Sequence, residues 1–95
     1  MRLCWSSRAW LDYIHWQQAD WQYIEKINAL IKDTMRNPFT GLGKPEPLRG
    51  EMQGLWSRRI SGEHRFIYRV YGRGEDQTLE VLFCRFHYVL PDRKK

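Results

Sequence analysis

Cysteine is scarce in this chain. Cys4 and Cys84 are the only two, and both sit in apolar, strand-like contexts that suggest small buried hydrophobes in a reduced cytosol. No structural disulfide between them is expected. With the three scattered histidines they match no zinc-ligand spacing. Long apolar runs are missing too. No segment is long enough to span a bilayer, and the N-terminus lacks the uninterrupted apolar stretch of a signal peptide. There is no repeat, low-complexity tract or linker, so the 95 residues read as one small domain with a basic tail over residues 89–95.

Acid is short in one part of the chain only. Residues 1–35 hold four bases and four acids, whereas residues 36–95 hold 12 bases and 7 acids, which accounts for the whole net charge of +5. A cationic excess confined to one region fits a polyanion partner; the same charge could serve solubility alone. What the chain has in abundance is aromatic: five Trp, five Tyr and four Phe. Such side chains bury large areas and make a disordered chain a poor reading. The tryptophans are expected mostly in the core, with Trp56 as the best exception.

The order of elements is legible. Residues 2–5 read as a strand. Ser6 or Ser7 then caps a helix to about Gln18, with Trp10, Tyr13 and Ile14 at helical spacing. Asp20 caps a second helix to about Arg36, along which Ile24, Ile27, Leu30, Ile31 and Met35 form a stripe. Asn37-Pro38 stops it. Residues 38–54, rich in glycine and proline, read as a long structured loop, and such loops are often functional. Three strands follow, over residues 55–60, 64–71 and 79–88, joined by turns at Ser61-Gly62-Glu63 and Gly72 to Gln77. The fold class expected is α+β, order β-α-α-β-β-β, with two helices on one face of a small antiparallel sheet.

Alternation assigns the faces. In the second of the three strands, Phe66, Tyr68 and Val70 oppose Arg65, Ile67, Arg69 and Tyr71. In the third, Leu82, Cys84 and Phe86 oppose Arg85 and His87. One face is then apolar, and the open one gathers Arg65, Arg69, Arg85, His87 and Arg59. Glu46 lies between Pro45 and Pro47, which limit backbone freedom and could hold its carboxylate still. Carboxylate, guanidinium and imidazole are the groups needed to cleave RNA without a metal, as base, charge stabiliser and acid. Each also has a plain reading: Glu46 as an exposed loop acid, Arg65 as a solvated strand cation, His87 as a structural histidine. Tyr88 could stack on a base or cap the core. Lys44 and Arg49 flank Glu46 and suit phosphate or solvent equally. His15 and His64 are read as packing or support.

Several separated blocks together resemble one family. Gly43-Lys44-Pro45-Glu46-Pro47-Leu48, Gly54-Leu55-Trp56-Ser57-Arg58-Arg59-Ile60, Glu63-His64-Arg65 with Tyr68, and Cys84-Arg85-Phe86-His87-Tyr88 closely resemble the YoeB (Txe) toxins of the RelE-like superfamily, as do residues 24–36. The resemblance implies a ribosome-dependent mRNA endonuclease that cuts in the ribosomal A site and inhibits translation. It implies Glu46 as general base, Arg65 as the transition-state cation and His87 as general acid. Arg59 and Tyr88, with Lys44 and Arg49 beside the base, would bind substrate. No metal or other cofactor is implied. The implied partners are the 70S ribosome with its mRNA and a YefM-like antitoxin. A homodimer is a further possibility, operator DNA is met only through the antitoxin complex, and no membrane is involved; the expected location is the cytoplasm. Arg49 stands where lysine is usual, and the Gly72–Gln77 hairpin is longer than usual. The alternative is a module that binds ribosome or nucleic acid without cutting.

Overall fold

The computed structural model describes residues 1–86. The chain runs as strand β1 (Arg2–Trp5), helix α1 (Ser7–Ala19), helix α2 (Trp21–Arg36), a two-residue strand β2 (Glu46–Pro47), then β3 (Trp56–Arg59), β4 (Arg65–Tyr71) and β5 (Thr78–Phe83). Single 3-10 turns cover Gly50–Met52 and Gly74–Asp76.

The helices begin where polar side chains satisfy their free N–H groups. Ser6 Oγ accepts from the Ala9 amide at 2.9 Å and donates to the Leu82 carbonyl at 2.6 Å, so the cap also fastens α1 to β5. Asp20 serves both helices: its amide donates to the Trp16 carbonyl, and its carboxylate accepts from the Gln22 amide. One residue therefore turns α1 into α2. On α2 the expected stripe of Ile24, Ile27, Leu30 and Ile31 is buried. On α1 the expected stripe is out of phase. Ala9, Asp12 and Trp16 face the core, and Trp10 is 47% exposed.

The five strands form one sheet in the order β1-β5-β4-β3-β2. The sheet is mixed rather than antiparallel, because β1 pairs parallel with β5, Arg2 opposite Thr78 through Trp5 opposite Val81. Side-chain alternation has the same period in both directions, so it carries no information on the sense of an edge strand. The helices cover one face, where Phe66, Tyr68, Leu79, Val81 and Cys84 pack against them.

A bulge changes the alternation on β5. Ile67 pairs with Phe83 but Tyr68 pairs with Val81, leaving Leu82 as an extra residue. Leu82 and Phe83 therefore both pack toward the open face, while Cys84 returns to the core beside Val81. The expected grouping of Leu82 with Cys84 is overturned. The open face is also not uniformly cationic. The turn after β2 folds back on it, so that Leu48, Met52 and Ile67 form a second buried cluster, while Arg69 is paired with Glu80 at 2.6 Å. The cysteines divide. Cys84 is buried and its thiol is pushed up to about 12, by burial first and by Asp12 second. Cys4 is exposed, contrary to expectation. Among the tryptophans Trp16 is buried, while Trp21 is 58% exposed as well as Trp10. No described helix is long and apolar enough to cross a membrane.

Candidate active site

The segment that carries Glu46 is held by a buried cation. Arg58 lies on β3 in phase with Trp56, so its side chain enters the helix-covered face and is fully buried. There Nη1 donates to Asp33 Oδ2 at 2.7 Å and to the Leu42 carbonyl at 3.0 Å, and Nη2 donates to the carbonyls of Asn37 and Thr40 at 2.6 and 3.0 Å. Nε donates to Tyr68 Oη, whose own proton goes to the Pro38 carbonyl at 2.6 Å. One planar fork thus binds three loop carbonyls, which a lysine could not do. The Leu42 amide and the Arg58 guanidinium together hold the Asp33 carboxyl below its ordinary value. Burial raises the Tyr68 phenol above its own. Gly41 sits so close to Asp33 that an added Cβ would overlap Oδ2. The Arg59 amide then ties Gly43 by its carbonyl at 2.7 Å.

Beyond Gly43 the chain enters β2. Glu46 pairs with Ser57 and Pro47 with Trp56. Paired residues share a face, so Glu46, Ser57 and Ile67 form a row across the open side. The adjacent row pairs Arg59 with Arg65. Like charges directly opposite destabilise a sheet. Glu46, Lys44, Arg49 and Arg59 are exposed, and Arg65 is half-buried. Among the described residues no acid pairs with Arg59 or Arg65. Arg65 Nη1 is spent on the turn before it, donating to the carbonyls of Ser61, His64 and Gly62 at 2.7, 3.1 and 3.3 Å. Nε and Nη2 make no bond within the described residues. Within the described residues the guanidinium is therefore held on one side only.

The end of the described chain is anchored beside Arg65. The Arg65 amide donates to the Phe86 carbonyl at 3.0 Å. Three core side chains hold the preceding residues. Asp12 accepts from the Cys84 amide at 3.0 Å, Trp16 Nε1 donates to the Cys84 carbonyl at 2.9 Å, and His64 Nδ1 accepts from the Phe86 amide at 2.6 Å. The Arg85 guanidinium lies over the Phe86 ring. His87 and Tyr88, expected as acid and stacking group, lie outside the described residues. No three His, Cys, Asp or Glu side chains among the described residues converge as a metal site.

Glu46, Arg59 and Arg65 therefore share one face, with Lys44 and Arg49 on the loop around Glu46. The sequence reading missed the parts that brace them. Arg58 is hidden beside Arg59, and its burial follows from its register opposite Phe66 on the apolar face, which the sequence alone does not give. Asp12 stands three residues from Ala9 and four from Trp16, and that phase marked a buried acid.

The profile of the YoeB-like toxin of bacterial type II toxin-antitoxin system matches residues 5–88. The chain is 51% identical over 88 residues to Toxin YoeB of Escherichia coli K12, covering 93% of this chain and all of that one. It is similar to the solved YoeB/ParE toxin from Agrobacterium tumefaciens, with TM-score 0.89 and 59% identity over 93% of this chain and all of that one. It is also similar to Staphylococcus aureus YoeB, solved as a dimer and as a YoeB-YefM complex, with TM-scores of 0.81 and 0.80, 37% identity, and 93% and 98% of the two chains covered. The chain belongs to the YoeB-like toxins of bacterial type II toxin–antitoxin systems.

Proposed function

We propose that this toxin is a ribosome-dependent endoribonuclease that cuts mRNA in the A site without a metal. Glu46 takes the proton of a ribose 2′-OH, and that oxygen attacks the adjacent phosphorus. Arg65 stabilises the charge on the non-bridging oxygens through Nε and Nη2. His87 protonates the departing 5′-oxygen. The products are a cyclic phosphate and a 5′-hydroxyl. Arg59, Lys44 and Arg49 hold the phosphate backbone, and Tyr88 stacks on a base. The observation that carries the reading is the shared face of Glu46, Arg59 and Arg65, with the carbonyl just before His87 fastened to the Arg65 amide. Two arginines in register, with no acid paired to either among the described residues, are costly without an anionic partner.

The same cations would receive an acidic stretch of a YefM-like antitoxin, as Staphylococcus aureus YoeB is solved with YefM. Homodimerisation, action in the cytoplasm and contact with operator DNA only through the antitoxin complex belong to this reading.

Primer extension on a defined mRNA tests it, with the purified toxin added with and without 70S ribosomes holding an empty A site. A new end in the A-site codon is expected only with ribosomes, and not for His87→Ala. Ribosome binding without a cut would leave a non-cleaving module. A cut on naked RNA alone would remove the ribosome dependence.

A further inference from the structure

His64 is buried, yet its ring is not merely packing. Trp16 and Tyr23 meet it edge-on at 4.8 and 5.5 Å between centroids, and the Phe86 ring lies at 5.6 Å. A phenylalanine would fill that box as well. What the imidazole adds here is a nitrogen aimed at the Phe86 amide, at 2.6 Å. Nδ1 accepts there, so the ring is in the tautomer that carries its proton on Nε2, with the Glu63 carboxylate 3.9 Å from that nitrogen. The residue it grips is unusual. Phe86 has φ +67°, in the left-handed region that a bulky residue rarely occupies. Such a conformation persists only where its surroundings impose it. Here the amide of Phe86 is taken by His64 and its carbonyl by the Arg65 amide. Both polar groups of one strained residue are therefore pinned by two consecutive residues of the β3–β4 turn and β4, one of which is the proposed transition-state arginine.

We infer that His64 is a positioning residue: through Phe86 it sets the direction in which the chain departs toward His87, and so couples the general acid to Arg65. The inference rests on the reading of His87 as the acid. Displacing a catalytic group by about 1 Å costs on the order of 10²-fold in rate, so a side chain that never touches RNA can have an effect of that size.

Two substitutions separate this role from packing. His64→Asn places Oδ1 where Nδ1 stood and keeps the acceptor. His64→Gln keeps a polar tip at the Nε2 end and loses it. Both give up the aromatic box. The first measurement needs neither variant: a 15N–15N coupling across the hydrogen bond between the Phe86 amide and His64 Nδ1 in the labelled, unaltered toxin. Its absence overturns the inference. Next, single-turnover cleavage on programmed ribosomes is compared with ribosome affinity, melting and exchange of the Phe86 amide. For His64→Gln the rate is expected to fall about 10²-fold with affinity unchanged and the Phe86 amide unprotected. His64→Asn is expected to restore protection and most of the rate, although both variants melt alike. Equal rates for the two, or rates that follow melting temperature, overturn the inference. An unaltered toxin that shows the coupling but never cuts overturns the nuclease reading instead.

Discussion

Arg58 and Arg59 are consecutive on β3, and their side chains leave opposite faces of the sheet. Arg58 is buried, with every nitrogen of its guanidinium bonded and Asp33 beside it. Arg59 is exposed, opposite Arg65, and neither forms an ion pair among the described residues. The same side chain therefore does two kinds of work, decided by one step in strand phase. The buried arginine holds the loop that delivers Glu46. The exposed one stands opposite another cation, with no ion pair to relieve it among the described residues; in the proposed reading that surface receives a phosphate. A charge count treats the two alike. Their hydrogen-bond partners separate them.

The comparison breaks if Arg58 is dispensable. Arg58→Ala takes the guanidinium from three loop carbonyls and from Asp33, which is 20% exposed and keeps the Leu42 amide. Removing one member of a fully buried ion pair costs about 3–5 kcal/mol, and the loss here should approach the lower end. Urea denaturation should show that loss. Arg58→Lys should recover little of it, because a single ammonium cannot reproduce the fork. A loss below about 0.5 kcal/mol, as for an ordinary surface change, would mean that the loop is held by something else.

The opposite profile is expected at the neighbouring position. Arg59→Ala should change stability by less than about 0.5 kcal/mol, or raise it slightly by removing a like-charge pair. The salt dependence of ribosome binding gives a second readout of the same variant, and its slope should fall by roughly one unit for each phosphate that is no longer neutralised. Arg65→Ala should cut the cleavage rate by about 10²–10³, the scale on which removing one charge-stabilising donor acts. A destabilised Arg59→Ala with an unchanged salt slope would make Arg59 a second structural arginine and erase the contrast.

Much of the fold is legible in the sequence, and the misses have particular causes. Helix ends follow from Ser6, Asp20 and Asn37-Pro38, because caps and proline act locally. The α2 stripe follows from its period. On α1 the large Trp10 draws the stripe to the wrong side, since the true face is marked by a small Ala9 and an acid, Asp12. The bulge at Leu82 is invisible because an extra residue changes phase without changing composition. Of the site, Arg59 and Arg65 lie on the face expected of them, and Glu46, read from the sequence only as a loop acid, joins that face through β2. The hydrogen bonds by which Arg58, Asp12, Trp16 and His64 brace it are not legible, because phase can mark a residue as buried but its partners lie distant in sequence.

Asp33 gives the smallest and most specific test of the buried side. Its folded-state carboxyl lies below the ordinary value of 3.8, through the Leu42 amide first and Arg58 next. A lowered folded value means that the ionised form is favoured by folding. The contribution is therefore fully present above the unfolded-state value and is lost as pH falls through the folded one. The unaltered toxin and Asp33→Asn should differ in unfolding free energy at about pH 6, and the gap should close progressively below about pH 4. Arg59→Ala should show no such closing gap, because no carboxylate is coupled to that side chain among the described residues. A gap between the unaltered toxin and Asp33→Asn that stays constant into acid would detach Asp33 from the Arg58 fork. The loop would then rest on the hydrogen bonds to the carbonyls of Asn37, Thr40 and Leu42 alone.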